Sequence, residues 1–115
     1  MAKKEAYLKT ETLEIYLQHL TSLPNIERKG AAMPYTSIHG HMFSFMDLEG
    51  NLALRLPEKE RNEFLKKYKT HLCIAHGKVL KEYVAVPKKI FQDLTGMKKY
   101  FKQSFDYAYS LPSKS

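Results

Sequence analysis

Three sets of side chains in this sequence are of types that do chemistry. Histidines stand two apart at His39 and His41, and His71 stands two from Cys73 with His76 just beyond. On a strand, residues two apart project to one face, and zinc accepts nitrogen and sulfur ligands, so both groups are candidate metal ligands. Neither has the spacing of a zinc finger or ribbon, Gly40 is placed to bend the first pair, and Cys73 equally suits a small core position. No metal or other cofactor is therefore assigned. Nucleophilic catalysis needs a cysteine or serine activated by a base that a third group orients. The chain has no GxSxG elbow, phosphate loop or dinucleotide fingerprint, and its carboxylates fall mostly on helical surfaces. No catalytic residue is assigned, and the expectation is a protein that is not an enzyme.

The second set is the lysines. The formal net charge is +7, and its distribution is uneven: residues 1–57 carry six basic and six acidic side chains, whereas residues 58–115 carry thirteen and six. Lysines near a polyanion gain Coulomb energy and release counterions, which makes Lys66, Lys67, Lys78, Lys81, Lys88, Lys89, Lys98, Lys99 and Lys102 candidate phosphate contacts, with Tyr107 and Tyr109 for stacking. Arginine, the better reader of guanine, occurs only as Arg28, Arg55 and Arg61, so nucleic-acid binding through this half would be electrostatic and without sequence preference. The bland alternative is a solvated lysine face that keeps a small protein soluble.

The third is Arg55, whose setting depends on the strands around it. Residues 41–56 read as two strands joined at Glu49, Gly50 and Asn51. In the first, Met42, Ser44, Met46 and Leu48 alternate with His41, Phe43, Phe45 and Asp47, so both faces carry apolar bulk. That pattern suits a central strand whose second face is covered by a loop, a ligand or a partner. In the second strand Leu52, Leu54 and Leu56 point to the core, and Arg55 shares the other face with either the methionine set or the phenylalanine set, a register that alternation leaves open. An arginine there needs a carboxylate or a bound anion. Glu27, Asp47 and Glu82 are the candidate partners, and Tyr35, Met42, Phe43, Phe45, Arg55 and Tyr83 the candidate interaction surface.

The remaining chain supplies what positions these residues. Residues 6–23 read as a helix with Leu13, Tyr16, Leu17 and Leu20 inward, ended by Pro24. Residues 26–38 begin polar and basic, turn extended through Met33, Tyr35 and Ile38, and read as an edge strand interrupted near Pro34, whose missing ladder donor is tolerated at an edge. Pro57 opens a helix to Lys69 with Phe64, Leu65 and Tyr68 inward. Residues 71–75 and 79–86 read as strands about a turn at His76 and Gly77. A short helical segment over 88–95 breaks at Gly96, and a last helix puts Met97, Tyr100, Phe101, Ser104, Phe105 and Ala108 on one stripe. The 115 residues suit one domain, with loose ends at about 1–4 and 112–115. No apolar run approaches the ~18 residues that span a bilayer, and the single cysteine agrees with a reducing compartment, so a cytoplasmic protein without membrane partners is expected.

Several words of the sequence, in order, resemble the TfoX/Sxy N-terminal domain family. They are YTSIHGHMFSF at 35–45, GNLALRLP at 50–57 followed by RNEFL, KEYVAVP at 81–87, and YF with SFDYAYSL in the closing helix; together they cover most of residues 26–112. The resemblance implies a two-layer α+β fold: a helix, three antiparallel strands, a helix, two strands and a C-terminal helix. It also implies a link to transcription and competence regulation. The double glycine that many members carry before the methionine and aromatic strand is represented by Gly40 alone. The competence regulators carry a second, helical domain that this sequence does not contain, so no nucleic-acid role of that domain is carried over. The expected function is macromolecular interaction, with a protein partner or a second copy of the chain. The alternatives are weak nucleic-acid binding by the basic half, and metal or small-ligand binding.

Overall fold

A computed structural model of the chain describes residues 10–23, 26, 28–30, 33–47, 49–75 and 77–112. Helix α1 (Thr10–Leu20) precedes strands β1 (Tyr35–Ile38), β2 (His41–Met46) and β3 (Leu52–Arg55). Helix α2 (Glu58–Tyr68), strands β4 (Leu72–Ala75) and β5 (Lys78–Val86), the one-turn α3 (Lys88–Phe91) and the long α4 (Leu94–Ser110) follow. This is the expected α+β order. All strands pair antiparallel in one sheet, β1-β2-β3-β5-β4, so the second hairpin joins through β5. Helix α4 lies across β1, β2 and β3, with α1 and α2 beside it, and the core fills the space between this layer and one sheet face.

Local chemistry accounts for the turns. His39 and Gly40 both have positive φ, 56° and 83°, the two-residue turn whose twist matches paired strands. Between β2 and β3, Asp47 supplies the scaffold: its Oδ1 accepts the amides of Glu49 and Asn51, and its Oδ2 accepts the Asn51 side-chain amide. Pro34 precedes the edge strand, and its carbonyl accepts the Met46 amide.

Strand β2 departs from strict alternation. Thr36 pairs with Ser44 but Ser37 pairs with Met42, which leaves Phe43 as an extra residue, a β-bulge. The bulge turns Phe43 and Ser44 to the same side. Phe43 meets Phe105 of α4 edge-on at 5.9 Å between centroids, and Ser44 meets Tyr16 of α1. Phe43 is thus fully buried, which removes it from the candidate interaction surface. Met42 and Phe45 take the outer face instead. Beyond the bulge, Ser44, Phe45 and Met46 pair with Leu54, Ala53 and Leu52, so Arg55 belongs to the outer face with Phe45. Leu48 and the expected helical residues 6–9 lie outside the described residues.

Leu52, Leu54 and Leu56 are buried as expected, together with Met46, Phe64, Val84, Met97 and Phe101. Each such side chain contributes about 1.5–3 kcal/mol relative to exposure. One inward assignment on α1 changes, and one buried residue is new. Leu17 is 38% exposed, whereas His19 is 3% exposed. The buried strip of α1 faces α3 and α4, where the His19 ring stacks on Phe101 at 4.9 Å and its Nε2–H donates to the Phe91 carbonyl at 2.6 Å. Gly96 does not break a helix but sits in the first turn of α4. Asp93 caps that turn by accepting the Gly96 amide, and a Cβ at Gly96 would collide with this carboxylate.

A buried chain of hydroxyls ties α1 to the sheet: Tyr16 to Ser44 at 2.7 Å, and Ser44 to Thr36 at 2.5 Å. Burial, partly offset by the Ser44 and Thr36 hydroxyls, pushes the Tyr16 phenol up to about 12. Ser44→Ala leaves two buried hydroxyls without their bridge and is expected to cost about 1–3 kcal/mol in urea unfolding. Tyr16→Phe, Thr36→Val and Ser44→Ala combined should recover part of that loss, because all three polar groups then leave together. His19 supplies a second test. Burial lowers its pKa despite the opposing Phe91 carbonyl and Asp93 charge, so only the unfolded chain gains a proton just below about 6.5. Its stabilising contribution is complete above that pH and is lost as pH falls through the lowered folded value. Urea midpoints should therefore drop between pH 7.5 and 5, and more steeply than in His19→Gln.

Candidate functional site

An apolar groove occupies the outer sheet face, and a salt-bridged cluster where β3 pairs with β5 joins that face to α4. Arg55 pairs across the ladder with Tyr83. Its guanidinium engages Glu82, Nε at 2.7 Å and Nη2 at 2.6 Å from Oε1, and Tyr107 of α4 donates its hydroxyl to the other carboxylate oxygen at 2.8 Å. The guanidinium carbon lies 5.8 Å from the Tyr83 ring centroid and 5.5 Å from that of Tyr107, within cation–π range. Burial raises the Glu82 carboxyl, but the hydrogen bonds from Tyr107 and Arg55 and the Arg55 charge outweigh it and hold the group below its usual range. Of the three carboxylates expected as partners, Glu82 is the one that binds Arg55. Asp47 is engaged in its turn, and Glu27 lies outside the described residues. Tyr107, a stacking candidate from the sequence, is half-buried, its hydroxyl held by this carboxylate.

Tyr83 links the cluster to the groove. Its hydroxyl donates to the Met42 carbonyl at 2.6 Å, and its ring packs on Phe45 at 5.8 Å. The groove holds about 490 Å³ and is lined by Met33, Tyr35, Met42, Phe45, Ala75, Lys78 and Leu80. Tyr35, Met42 and Phe45 of the expected surface thus come together. Arg55 and Tyr83 stand behind them as support rather than lining. Met33, Ala75 and Leu80 were not identified from the sequence, and Lys78 only as a candidate phosphate contact; β5 runs on past the end of β3 and brings Lys78 and Leu80 over the β1–β2 face.

The candidate metal ligands are dispersed. His39 occupies the β1–β2 turn, exposed, with its ring 4.7 Å from that of Tyr109. His41 is buried on the helix side, its Nε2–H donating to the Pro112 carbonyl at 2.6 Å. The turn therefore separates two residues that a continuous strand would have aligned. His71 is exposed and its Nδ1–H donates to the Leu72 carbonyl. Burial first, and then the Asp47 charge, raise the Cys73 thiol. His76 lies outside the described residues. Among the described residues no three His, Cys, Asp or Glu side chains are grouped so as to hold a metal.

The lysines divide as well. Lys78 and Lys81 belong to the β4–β5 hairpin, Lys98 faces the end of α1, and Lys102 pairs with Asp106. Lys67 and Lys99 converge on a tyrosine pair instead, with Nζ atoms 5.3 and 5.1 Å from the rings of Tyr68 and Tyr100. The two hydroxyls are 3.1 Å apart. Tyr109 stays exposed at the far end of α4. No helix among the described residues is long and apolar enough to cross a membrane.

No protein-family model, curated protein or solved structure matches the chain.

Arg55→Gln separates support from function. The pair is partly solvated, so the expected loss of stability is only about 1 kcal/mol near neutral pH. Because the Glu82 pKa is lowered in the folded state, this contribution is complete above about 4.3 and lost as pH falls through the folded value. The stability difference between Arg55→Gln and the parent, measured by urea unfolding, should therefore shrink as the pH is lowered from 7 to 3.

Proposed function

We propose that the protein works by binding rather than catalysis, seating an apolar segment of an acidic partner protein in the groove of the outer sheet face. The groove itself carries this reading. A concave apolar surface with few polar groups is the usual form of a recognition pocket, and methionine and aromatic side chains are enriched at interfaces. Met33 at its rim is 44% exposed, so apolar surface meets water until something covers it.

Charge selects the partner. Lys78 is the only charged side chain among the described residues that line the groove. It favours an occupant that carries a carboxylate beside its apolar residues. At a formal net charge of +7, a second copy of the chain is repelled and an acidic protein is attracted. The resemblance of residues 35–45 and 50–57 to the TfoX/Sxy N-terminal family supports a partner in transcription or competence control. The raised thiol pKa of Cys73 reduces its thiolate, in keeping with a binding role.

The test is photo-crosslinking in the source cell, with benzoylphenylalanine replacing Tyr35 in the groove and, as control, Lys102 on α4. A discrete adduct from position 35, absent from position 102 and reduced at least about fivefold by Lys78→Glu, is the expected result. An adduct of twice the chain's own mass would identify a second copy as occupant and overturn the choice of partner. No adduct, or the same adducts from both positions, would overturn the groove as a docking site.

A further inference from the structure

Two lysines, Lys69 and Lys88, line a second concave surface, which shares no lining residue with the sheet-face groove. It is a cleft of about 580 Å³ at the C-terminal end of α2, with Tyr68, Lys69, His71 and Lys88 along its walls and Val86 and Pro87 among its apolar lining. Tyr68 belongs both to this cleft and to the cluster of Lys67, Tyr100 and Lys99. Tyr68 therefore joins two pairs of cations into one path, Lys69 and Lys88 in the cleft lining and Lys67 and Lys99 on the tyrosine pair beside it. We propose that this path is a site for single-stranded nucleic acid, bound through its phosphates and without sequence preference.

Several features favour that ligand class. A row of ammonium groups drawn from separate elements matches a chain of phosphates better than one compact anion. Lysine acts as a point charge without the planar fork that reads base edges, so the contacts are to the backbone. The cleft is concave and has tyrosine and histidine rings on its walls, which suits an unpaired base more than the convex surface of a duplex. The C-terminal end of α2 would ordinarily repel an anion, but its Leu65 carbonyl accepts the amides of Lys69 and Thr70. Asp47, the carboxylate in the cleft lining, has both oxygens engaged by the β2–β3 turn. The ammonium of Lys67, like any exposed lysine, is charged across the physiological range, and Tyr100 first and then Tyr68 shift its pKa further up.

The experiment is fluorescence anisotropy of the full chain with a labelled oligothymidylate and with a duplex of equal length, at several salt concentrations. Binding that weakens steeply with salt and is tighter for the single strand is expected. Lys67→Glu with Lys99→Glu should lose at least about tenfold in affinity, and the slope of log affinity against log salt should fall by about 1.4, the value for two single-strand phosphate contacts. Lys59→Glu with Lys81→Glu makes the same change in net charge at exposed positions that line neither concave surface, and should lose less than about threefold. Equal losses in the two variants would assign binding to net charge and overturn the site. A duplex bound as tightly as the single strand, or no binding of either at low salt, would overturn it as well. None of these outcomes depends on what occupies the sheet-face groove.

Discussion

The extra residue in β2 is the constraint on which the two faces of this sheet depend. A strand of uniform alternation would place Phe43 with Phe45 and Ser44 with Met42. With the bulge, Phe43 and Ser44 both enter the core, while Met42 and Phe45 form an apolar outer surface. A bulge disrupts the local ladder, and partners from outside β2 meet carbonyls on both sides of it. Ser104 of α4 donates its hydroxyl to the Phe43 carbonyl at 2.9 Å, and Tyr83 of β5 donates to that of Met42. One irregularity thus couples α4 on one face of the strand and Tyr83 on the other.

The helix layer is joined to the sheet by packing and by a few buried polar links. The hydroxyl chain from Tyr16 through Ser44 to Thr36 attaches α1 to the strand just beyond the bulge. His19 attaches the last turn of α1 to the carbonyl that ends α3, between two aromatic rings. Such groups are costly if left unpaired in an apolar interior, so each one restricts how α1 can sit. Apolar contact supplies most of the stabilisation, and these bonds select one arrangement among several that would bury similar area.

Charge is arranged by the same packing. Antiparallel placement of α2 against α4 sets the C-terminal lysines of α2 beside Lys99, while the Tyr107–Glu82–Arg55 cluster engages the far part of α4. The tyrosine pair at 68 and 100 completes the basic end, and the outer sheet face keeps a single lysine at its groove. The two concave surfaces therefore differ in character, one apolar but for Lys78 and one that sets Lys69, Lys88 and Asp47 among tyrosine, histidine and apolar side chains.

Much of this fold was legible along the chain. Element order, the edge position of the strand after Pro34, the three buried leucines of β3, the stripe on α4 and a carboxylate partner for Arg55 all follow from periodicity, proline geometry and the cost of burying a charge. These are local rules, acting over a few residues. What they could not reach depends on contacts between distant segments. Whether Phe43 is core or surface turns on one unpaired residue in a ladder with β1, and whether His19 is buried turns on a carbonyl 72 positions away. Gly96 reads as a helix breaker until Asp93 is seen to need the space above it. The sequence by itself determined an α+β chain with a leucine-rich core, an excess of lysine and an aromatic strand with two apolar faces. Only the tertiary structure decided which face stays open and which lysines become neighbours, because both are properties of pairing register and helix placement, and neither is encoded in any short stretch of residues.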